Sequence, residues 1–378
     1  MSDATWSNIA AAKRVVIKVG TNIVIRHDGR PAIARLAALV ETIGDLKSRG
    51  ADVLLVSSGS VGVGAGILGF TEVPKRVVDR QACAAAGQGA LVSLYCRLMD
   101  QVGCRGAQVL LTEADFANRG RYLNLHQTLE RLLELGVVPI INENDTVSTK
   151  ELAYGNGDVF GDNDRLSALV ASRVEADLLV LLTDVDGVFT AHPNAPGSVL
   201  VERYEVNSEV ETSSTAGVGR GGMKAKIEAA TVASRAGVTV VIANGSNENS
   251  LRDVCRGEPT GTLFEPRPIL NSRKRWLAFA TSPQGVIVVN DGARNALINS
   301  HASLLPKGVI SATGDFSVGD TISIASGDGI VFARGVTNFS CSQTLATKGR
   351  HTADLSGRGR ERMVVHCENL VILEEVGT

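Results

Sequence analysis

The stretch Arg14-Val-Val-Ile-Lys-Val-Gly20 decides how the chain is read. It is an apolar run without polar alternation, closed by a glycine, and it predicts a strand buried on both faces. Comparable runs recur at residues 52–57, 107–111, 137–142, 178–183 and 238–243. Between several of them the hydrophobic spacing becomes helical, at residues 33–49, 76–102, 122–135, 166–174 and 223–236. Continuous apolar strands alternating with helices predict an α/β fold, with a doubly wound, mainly parallel sheet sandwiched by helices. Ligands of such sheets bind beyond the carboxyl ends of the strands. The polar residues at those ends are therefore the functional candidates.

Lys18 stands near the end of the first strand, and a buried lysine needs a partner. A second lysine motif follows a glycine cluster, in Gly217-Val-Gly-Arg-Gly-Gly-Met-Lys-Ala-Lys226, where a helix is expected to begin. A strand-borne ammonium facing a glycine-rich helix start is a way to hold a polyphosphate without a P-loop. Between the lysines, further strand ends carry Ser57-Ser-Gly-Ser60, Asn142-Glu-Asn-Asp145 and Thr183-Asp-Val-Asp-Gly187, and Gly161-Asp-Asn-Asp164 precedes a helix. Each cluster also has an ordinary reading. Lys18 could guard a sheet edge, Ser58-Gly59 could form a turn, and residues 162–164 could cap a helix. Asp184 and Asp186 fit an Asp-Gly turn, and residues 217–222 a surface loop. Their convergence on one sheet edge is what favours a site.

Composition sets outer limits. The chain has 378 residues, 44% hydrophobic and 21% charged, with a formal net charge of −2. That describes a soluble globular protein with no global pull toward nucleic acid or membrane. Aromatic content of 4% argues against base-stacking platforms. The six cysteines form no C-x-x-C pair and read as reduced thiols of a cytoplasmic protein. Neither a signal peptide nor an apolar run of membrane-spanning length is seen. Six histidines lack metal spacing, and none is assigned a catalytic role. Gly64-Ala-Gly-Ile-Leu-Gly69 matches G-x-G-x-x-G literally, but it falls several residues after its strand. Asp79 follows too soon to be the ribose ligand, so a dinucleotide site is rejected.

The rhythm changes near Pro266. Residues 267–275 read as a linker. Short runs with glycine punctuation follow, at residues 285–289, 321–325, 330–335, 363–365 and 371–373. They predict a small β-rich domain, a partly open barrel. The expected division is 1–266, 267–275 and 276–378.

Taken in order, Lys18-Val-Gly-Thr21, Val56-Ser-Ser-Gly-Ser60, Pro139-Ile-Ile-Asn-Glu-Asn-Asp145, Gly161-Asp-Asn-Asp-Arg-Leu-Ser167, Leu181-Leu-Thr-Asp184 and Gly221-Gly-Met-Lys-Ala-Lys226 resemble the amino acid kinase family. Within it, the resemblance is to the branch that phosphorylates glutamate. Leu304-Leu-Pro-Lys-Gly308, Gly314-Asp-Phe-Ser-Val-Gly-Asp320 and Ala333-Arg-Gly-Val336 look like a PUA domain, which would occupy 276–378 behind a kinase domain at 1–266. The resemblance implies ATP-dependent phosphorylation of the γ-carboxylate of L-glutamate, the first step of proline biosynthesis, with Mg2+ carried on ATP. It implies catalytic roles for Lys18, Lys226 and Asp184, with Asp184 holding the lysines. Ser58, Gly59, Asn142, Asp145, Asp162 and Asn163 would bind the substrate. Lys18, Gly20, Thr183, Asp184, Gly219, Arg220, Gly221, Gly222, Met223 and Lys226 would contact the nucleotide. Lys224 and Lys226 cannot share a helix face, and only the resemblance selects Lys226. Also implied are proline feedback, a dimeric or tetrameric assembly and a functional link to glutamyl phosphate reductase. No direct metal ligand is assigned. The segment 150–160 is longer than relatives carry at a place that lies over their glutamate site. A competing RNA-binding reading of the tail rests on basic runs at 273–275 and 358–362, which more often form solvated faces.

Overall fold

The computed structural model describes residues 3–26, 28–112, 115–116, 119–147, 162–205, 222–266, 283–350 and 363–373. The expected linker at 267–275, both basic runs of the tail, the segment 150–160 and the glycines at 217, 219 and 221 lie outside them. The chain divides into two compact units, Met1–Pro268 and Ile269–Thr378.

Seven strands form the sheet of the first unit: β1 (Arg14–Val19), β2 (Asp52–Ser57), β3 (Arg105–Leu111), β4 (Val137–Glu143), β5 (Leu178–Thr183), β6 (Thr239–Asn244) and β7 (Thr262–Phe264). Their order is β3-β4-β2-β1-β5-β6-β7. All neighbours are parallel except β6 and β7. The central strands lack polar alternation because helices cover both faces. Val15, Val16, Ile17, Leu54, Leu55, Leu179 and Val180 are all fully buried. Helix Ile33–Ser48 supplies part of the cover, burying Leu36, Leu39, Val40, Ile43 and Leu46, one stripe at helical spacing. β3 lies at the edge and leaves Gln108 and Leu110 exposed. It begins two residues before the apolar run, because pairing with β4 carries through Arg105 and Gly106.

Several short helices were not placed from the sequence; in the first unit they include Asp3–Ala10, Ser60–Ile67 and Ser250–Cys255. The second contains Gly64, the first glycine of the rejected motif. It crosses the long helix Val77–Gln101 at backbone contact. A Cβ on Gly64 would lie 1.7 Å from the Cys83 carbonyl oxygen, and one on Gly87 would lie 1.9 Å from the Ser60 carbonyl oxygen. Gly64 and Gly87 set a helix crossing. The helix expected from Leu166 begins earlier, at Asp162, and runs to Arg173. Asn163 and Asp164 therefore occupy its first turn.

The second unit has one five-stranded sheet: β8 (Gly285–Val289), β9 (Val309–Gly314), β10 (Thr321–Ala325), β11 (Val331–Thr337) and β12 (Val365–Ile372), in the order β12-β11-β10-β8-β9. β8 and β10 are parallel and the other neighbours antiparallel. The two runs expected at 363–365 and 371–373 are ends of one strand, β12, held by β11 across a register shift. An isolated antiparallel bridge joins Leu304, ahead of β9, to Val365 at the start of β12. Ile287, Val289, Leu297, Ile322, Ile324, Phe332 and Val365 form the core of this unit.

The helix crossing gives a test within one helix. Gly87→Ala forces backbone apart and is expected to cost about 1–3 kcal/mol. At Gly89, two residues on, an added Cβ meets nothing within 4 Å. Gly89→Ala is expected to stabilise by about 0.5–1 kcal/mol through helix propensity. Urea midpoints decide it; equal effects at the two positions would contradict the close crossing.

Candidate active site

β1 lies between β2 and β5, with Lys18 opposite Val56 and Leu181. The side chain of Lys18 consequently emerges at the carboxyl edge of the sheet centre and remains buried. It meets Asp164 in the first turn of the helix Asp162–Arg173, Nζ to Oδ1 at 2.5 Å. Lys226 approaches the other carboxylate oxygen, Nζ to Oδ2 at 3.2 Å. It is carried by the helix Met223–Arg235, whose N-cap is Gly222. Relative exposures of 4%, 1% and 8% for Lys18, Asp164 and Lys226 remove all three from bulk water. Lys224 is exposed instead, so burial separates the two lysines that spacing alone left equivalent.

Two ammonium groups on one carboxylate leave an excess positive charge. Burial by itself would raise the Asp164 carboxyl; Lys18 and Lys226 overcome that and hold it below the usual range. A helix N-terminus also favours its negative charge. Burial pulls Lys18 below its ordinary value of 10.5, and Lys226 adds to this against the attraction of Asp164. An anion brought to this edge would relieve the excess. Gly20 lies next to the ammonium: a Cβ there would stand 3.8 Å from Lys18 Nζ.

Beside the triad runs a chain of amides and hydroxyls. β2 turns into the helix Ser60–Ile67 through Gly59 at φ +105°, and a Cβ there would strike Val24 at 2.9 Å. That turn presents Ser58 and Ser60. Ser60 Oγ donates to Asp145 at 3.0 Å. Asn142 Nδ2 donates to Ser60 Oγ at 3.3 Å and to Gln88 Oε1 at 2.7 Å. Asn163 Nδ2 donates to Asn142 Oδ1 at 3.0 Å and to Ser58 Oγ at 2.9 Å. The chain ends at Asn163 Oδ1, a buried acceptor with no hydrogen-bond partner in the described structure. Such an orphan is costly and points to a donor supplied from outside.

Asp184 occupies a different place from the one expected. The acid between the lysines is Asp164; Asp184 is exposed beyond β5 and accepts from Asn22 Nδ2 at 2.8 Å and Thr183 Oγ1 at 3.2 Å. Burial would raise its carboxyl, and these bonds together with the Lys226 charge lower it. Asp184 still acts on both lysines through its charge; the direct contact of Asp164 was not foreseen because, inside a polar run ahead of an apolar helix, it reads as capping. Ser60 stood in the strand-end cluster without an assigned role, and Gln88 was missed. Gln88 did leave a signal: a polar residue three and seven positions before Leu91 and Tyr95, which helical spacing puts on the buried face. Thr183 is buried, Met223 half-buried and Gly222 exposed. Gly219, Arg220, Gly221 and the side chain of Asp162 lie outside the described residues.

The triad predicts unequal costs for two acids. Asp164→Asn leaves two buried cations without their counter-charge and is expected to lose about 3–5 kcal/mol of stability. Asp184→Asn, at an exposed position, should cost about 1 kcal/mol or less. Denaturant unfolding of the two variants checks the order, which an equal or reversed loss would overturn.

The amino acid kinase family model matches residues 13–244, and the PUA domain model matches residues 285–357. The Glutamate 5-kinase of Carboxydothermus hydrogenoformans is 42% identical, over 96% of this chain and 98% of its own. That of Moorella thermoacetica is 43% identical, over 97% of each. That of Thermobifida fusca is 39% identical, over 99% of this chain and 97% of its own. With a matching model across residues 13–244 and such relatives along nearly the whole chain, the protein belongs to the amino acid kinase family.

Proposed function

We propose that the protein transfers the γ-phosphoryl group of ATP to the side-chain carboxylate of L-glutamate, giving L-glutamyl 5-phosphate, the first step of proline biosynthesis. The observation that carries this reading is the buried Lys18–Asp164–Lys226 triad, with its excess positive charge at the carboxyl edge of the sheet. The relatives named Glutamate 5-kinase support the choice of substrate.

The chemistry suits the residues present. A glutamate side chain, with a pKa near about 4.3, is already ionised at neutral pH. Its oxygen attacks the γ-phosphorus, the bond to the β,γ-bridging oxygen breaks, and ADP leaves with the electron pair. No proton moves at the nucleophile, so no general base is required. The obstacles are bringing two anions together and spreading charge over the transferring group. Lys18 and Lys226 meet both, and Asp164 holds their ammonium groups at fixed positions. Ser58, Gly59, Asn142, Asp145 and Asn163 hold the amino acid, and the Asp145 carboxylate pairs with its α-ammonium. Asn163 Oδ1 is a further acceptor for that ammonium. Gly20 gives the phosphates close access, and Thr183, Asp184, Gly222 and Met223 border the nucleotide. Among the described residues no group of three His, Cys, Asp or Glu side chains converges to hold a metal. In this reading Mg2+ is carried on the ATP phosphates, and no step is derived through a protein-bound ion. The same reading takes in proline as a feedback inhibitor, a dimer or tetramer, a partner reductase that consumes the labile acyl phosphate, and a cytoplasmic setting. Among the described residues no helix is long and apolar enough to cross a membrane.

Supplied with ATP, magnesium and single amino acids, the protein is expected to form hydroxylamine-trappable acyl phosphate with glutamate. Product with aspartate or N-acetylglutamate and none with glutamate would reject the substrate. Lys226→Ala is expected to keep the fold and lose roughly 10²–10³ in kcat, as on removal of one transition-state donor; unchanged kcat would reject the role. The Lys18 shift predicts the alkaline limb. Only the ammonium attracts phosphate, and burial lowers its pKa, so kcat/KM for ATP should fall as pH rises through a value below 10.5. Bound phosphate favours the charged form. The corresponding limb in kcat should lie at higher pH, and coincident limbs would contradict the assignment.

A further inference from the structure

The long helix Val77–Gln101 reaches the site at one residue that the proposed chemistry leaves without a role. Gln88 Oε1 accepts from Asn142 Nδ2 at 2.7 Å, the shortest bond in the amide chain. We propose that Gln88 is a positioning residue for the acceptor amino acid, one that fixes the Asn142 amide and, through it, the direction of Asn163. The proposal rests on the phosphoryl-acceptor reading of this pocket given above.

The argument is one of hydrogen-bond direction. An amide nitrogen has two N–H groups. Those of Asn142 go to Gln88 and to Ser60, and Ser60 spends its own hydrogen on Asp145. Asn142 must then turn its oxygen to Asn163, which accordingly offers its nitrogen to Asn142 and Ser58. The Asn163 oxygen is left as the buried orphan acceptor, the polarity an ammonium requires. Without an acceptor at position 88, the Asn142 amide is held only by its 3.3 Å bond to Ser60, and it can reverse once Ser60 turns its hydrogen from Asp145 to the Asn142 oxygen, which sends the Asn142 nitrogen toward Asn163. Asn163 would then reverse as well and present N–H groups to the same place, where an ammonium is disfavoured.

The helix is a rigid base for this task. One residue before Gln88, the bare Cα of Gly87 lies against the Ser60 backbone. Seven residues after it, on the same face, the Tyr95 hydroxyl lies 2.9 Å from Ser57 Oγ in the buried interior. Gln88 is thus delivered between two fixed contacts to the strand end and turn that carry Ser57, Ser58 and Ser60. A supporting group held this way keeps the groups that touch a ligand in register.

The test is a KM split in the full-length protein, with ATP, magnesium and L-glutamate. Gln88→Met keeps the length of the side chain and removes the strong acceptor. It is expected to raise KM for glutamate about tenfold while KM for ATP and the melting temperature stay at wild-type values. Gln88→Glu restores acceptor oxygens and is expected to recover most of the loss. If Gln88→Met does not fold, Gln88→Ala removes the same acceptor without new bulk and reads out the same split. Unchanged KM for glutamate, parallel rises in both KM values, or failure of Gln88→Glu to recover would overturn the proposal. If the wild-type chain phosphorylates another amino acid and not glutamate, the substrate reading falls, while the same split measured with that acceptor still decides the role of Gln88.

Discussion

The arrangement of the first unit depends on one carboxylate between two buried ammonium groups. Lys18 is part of the most central strand, Asp164 begins a helix, and Lys226 lies in the second turn of another. Withdrawing these charges from water is expensive unless they are paired and bonded. The pairing therefore constrains where both helices can begin relative to β1. The triad itself carries one positive charge in excess, with the Asp184 carboxylate as a further negative charge acting on both lysines, and an incoming anion is favoured there. The same ion cluster fixes the architecture and states what the architecture can bind.

A second constraint acts beside it. The glycine-mediated crossing of Ser60–Ile67 and Val77–Gln101 brings backbone to backbone. It holds the Ser58–Ser60 turn against β4, where Asn142 and Asp145 emerge. The two systems meet at adjacent residues, Asn163 and Asp164, in one helical turn. Asp164 faces the lysines, and Asn163 faces the amide chain. Adjacent side chains on a helix point about 100° apart. A single turn can thereby serve a phosphate side and an amino acid side of one pocket.

The sheet was legible because its central strands are continuous apolar runs, and Arg14–Val19, Asp52–Ser57 and Leu178–Thr183 end where the sequence places them. Edge elements were not: β7 has three residues, and β3 begins at Arg105 and Gly106, which only pairing keeps in a strand. Lys18, Asn142 and Asp145 were legible as polar groups at the ends of buried runs, whereas Asn163 stood ahead of a helix and its substrate role came from the resemblance alone. Asp164 was not legible, because the local signal of a first-turn acid is the same whether it caps a helix or pairs with two lysines from distant elements. Gln88 and Gly87 illustrate a related limit. Their importance comes from contacts with Asn142 and Ser60, residues far from them in the chain, which helical periodicity can suggest and cannot assign.

The most direct measurement of the central claim is a crystal structure of the full-length protein with ADP, magnesium, aluminium fluoride and L-glutamate, which imitates the phosphoryl group in transit. The account predicts the planar fluoride within hydrogen-bond reach of both Lys18 Nζ and Lys226 Nζ, with Asp164 still bridging the two and the glutamate ammonium at Asp145 and Asn163 Oδ1. A fluoride bound away from either lysine, or a lysine turned out of the triad to bind it, would contradict the account.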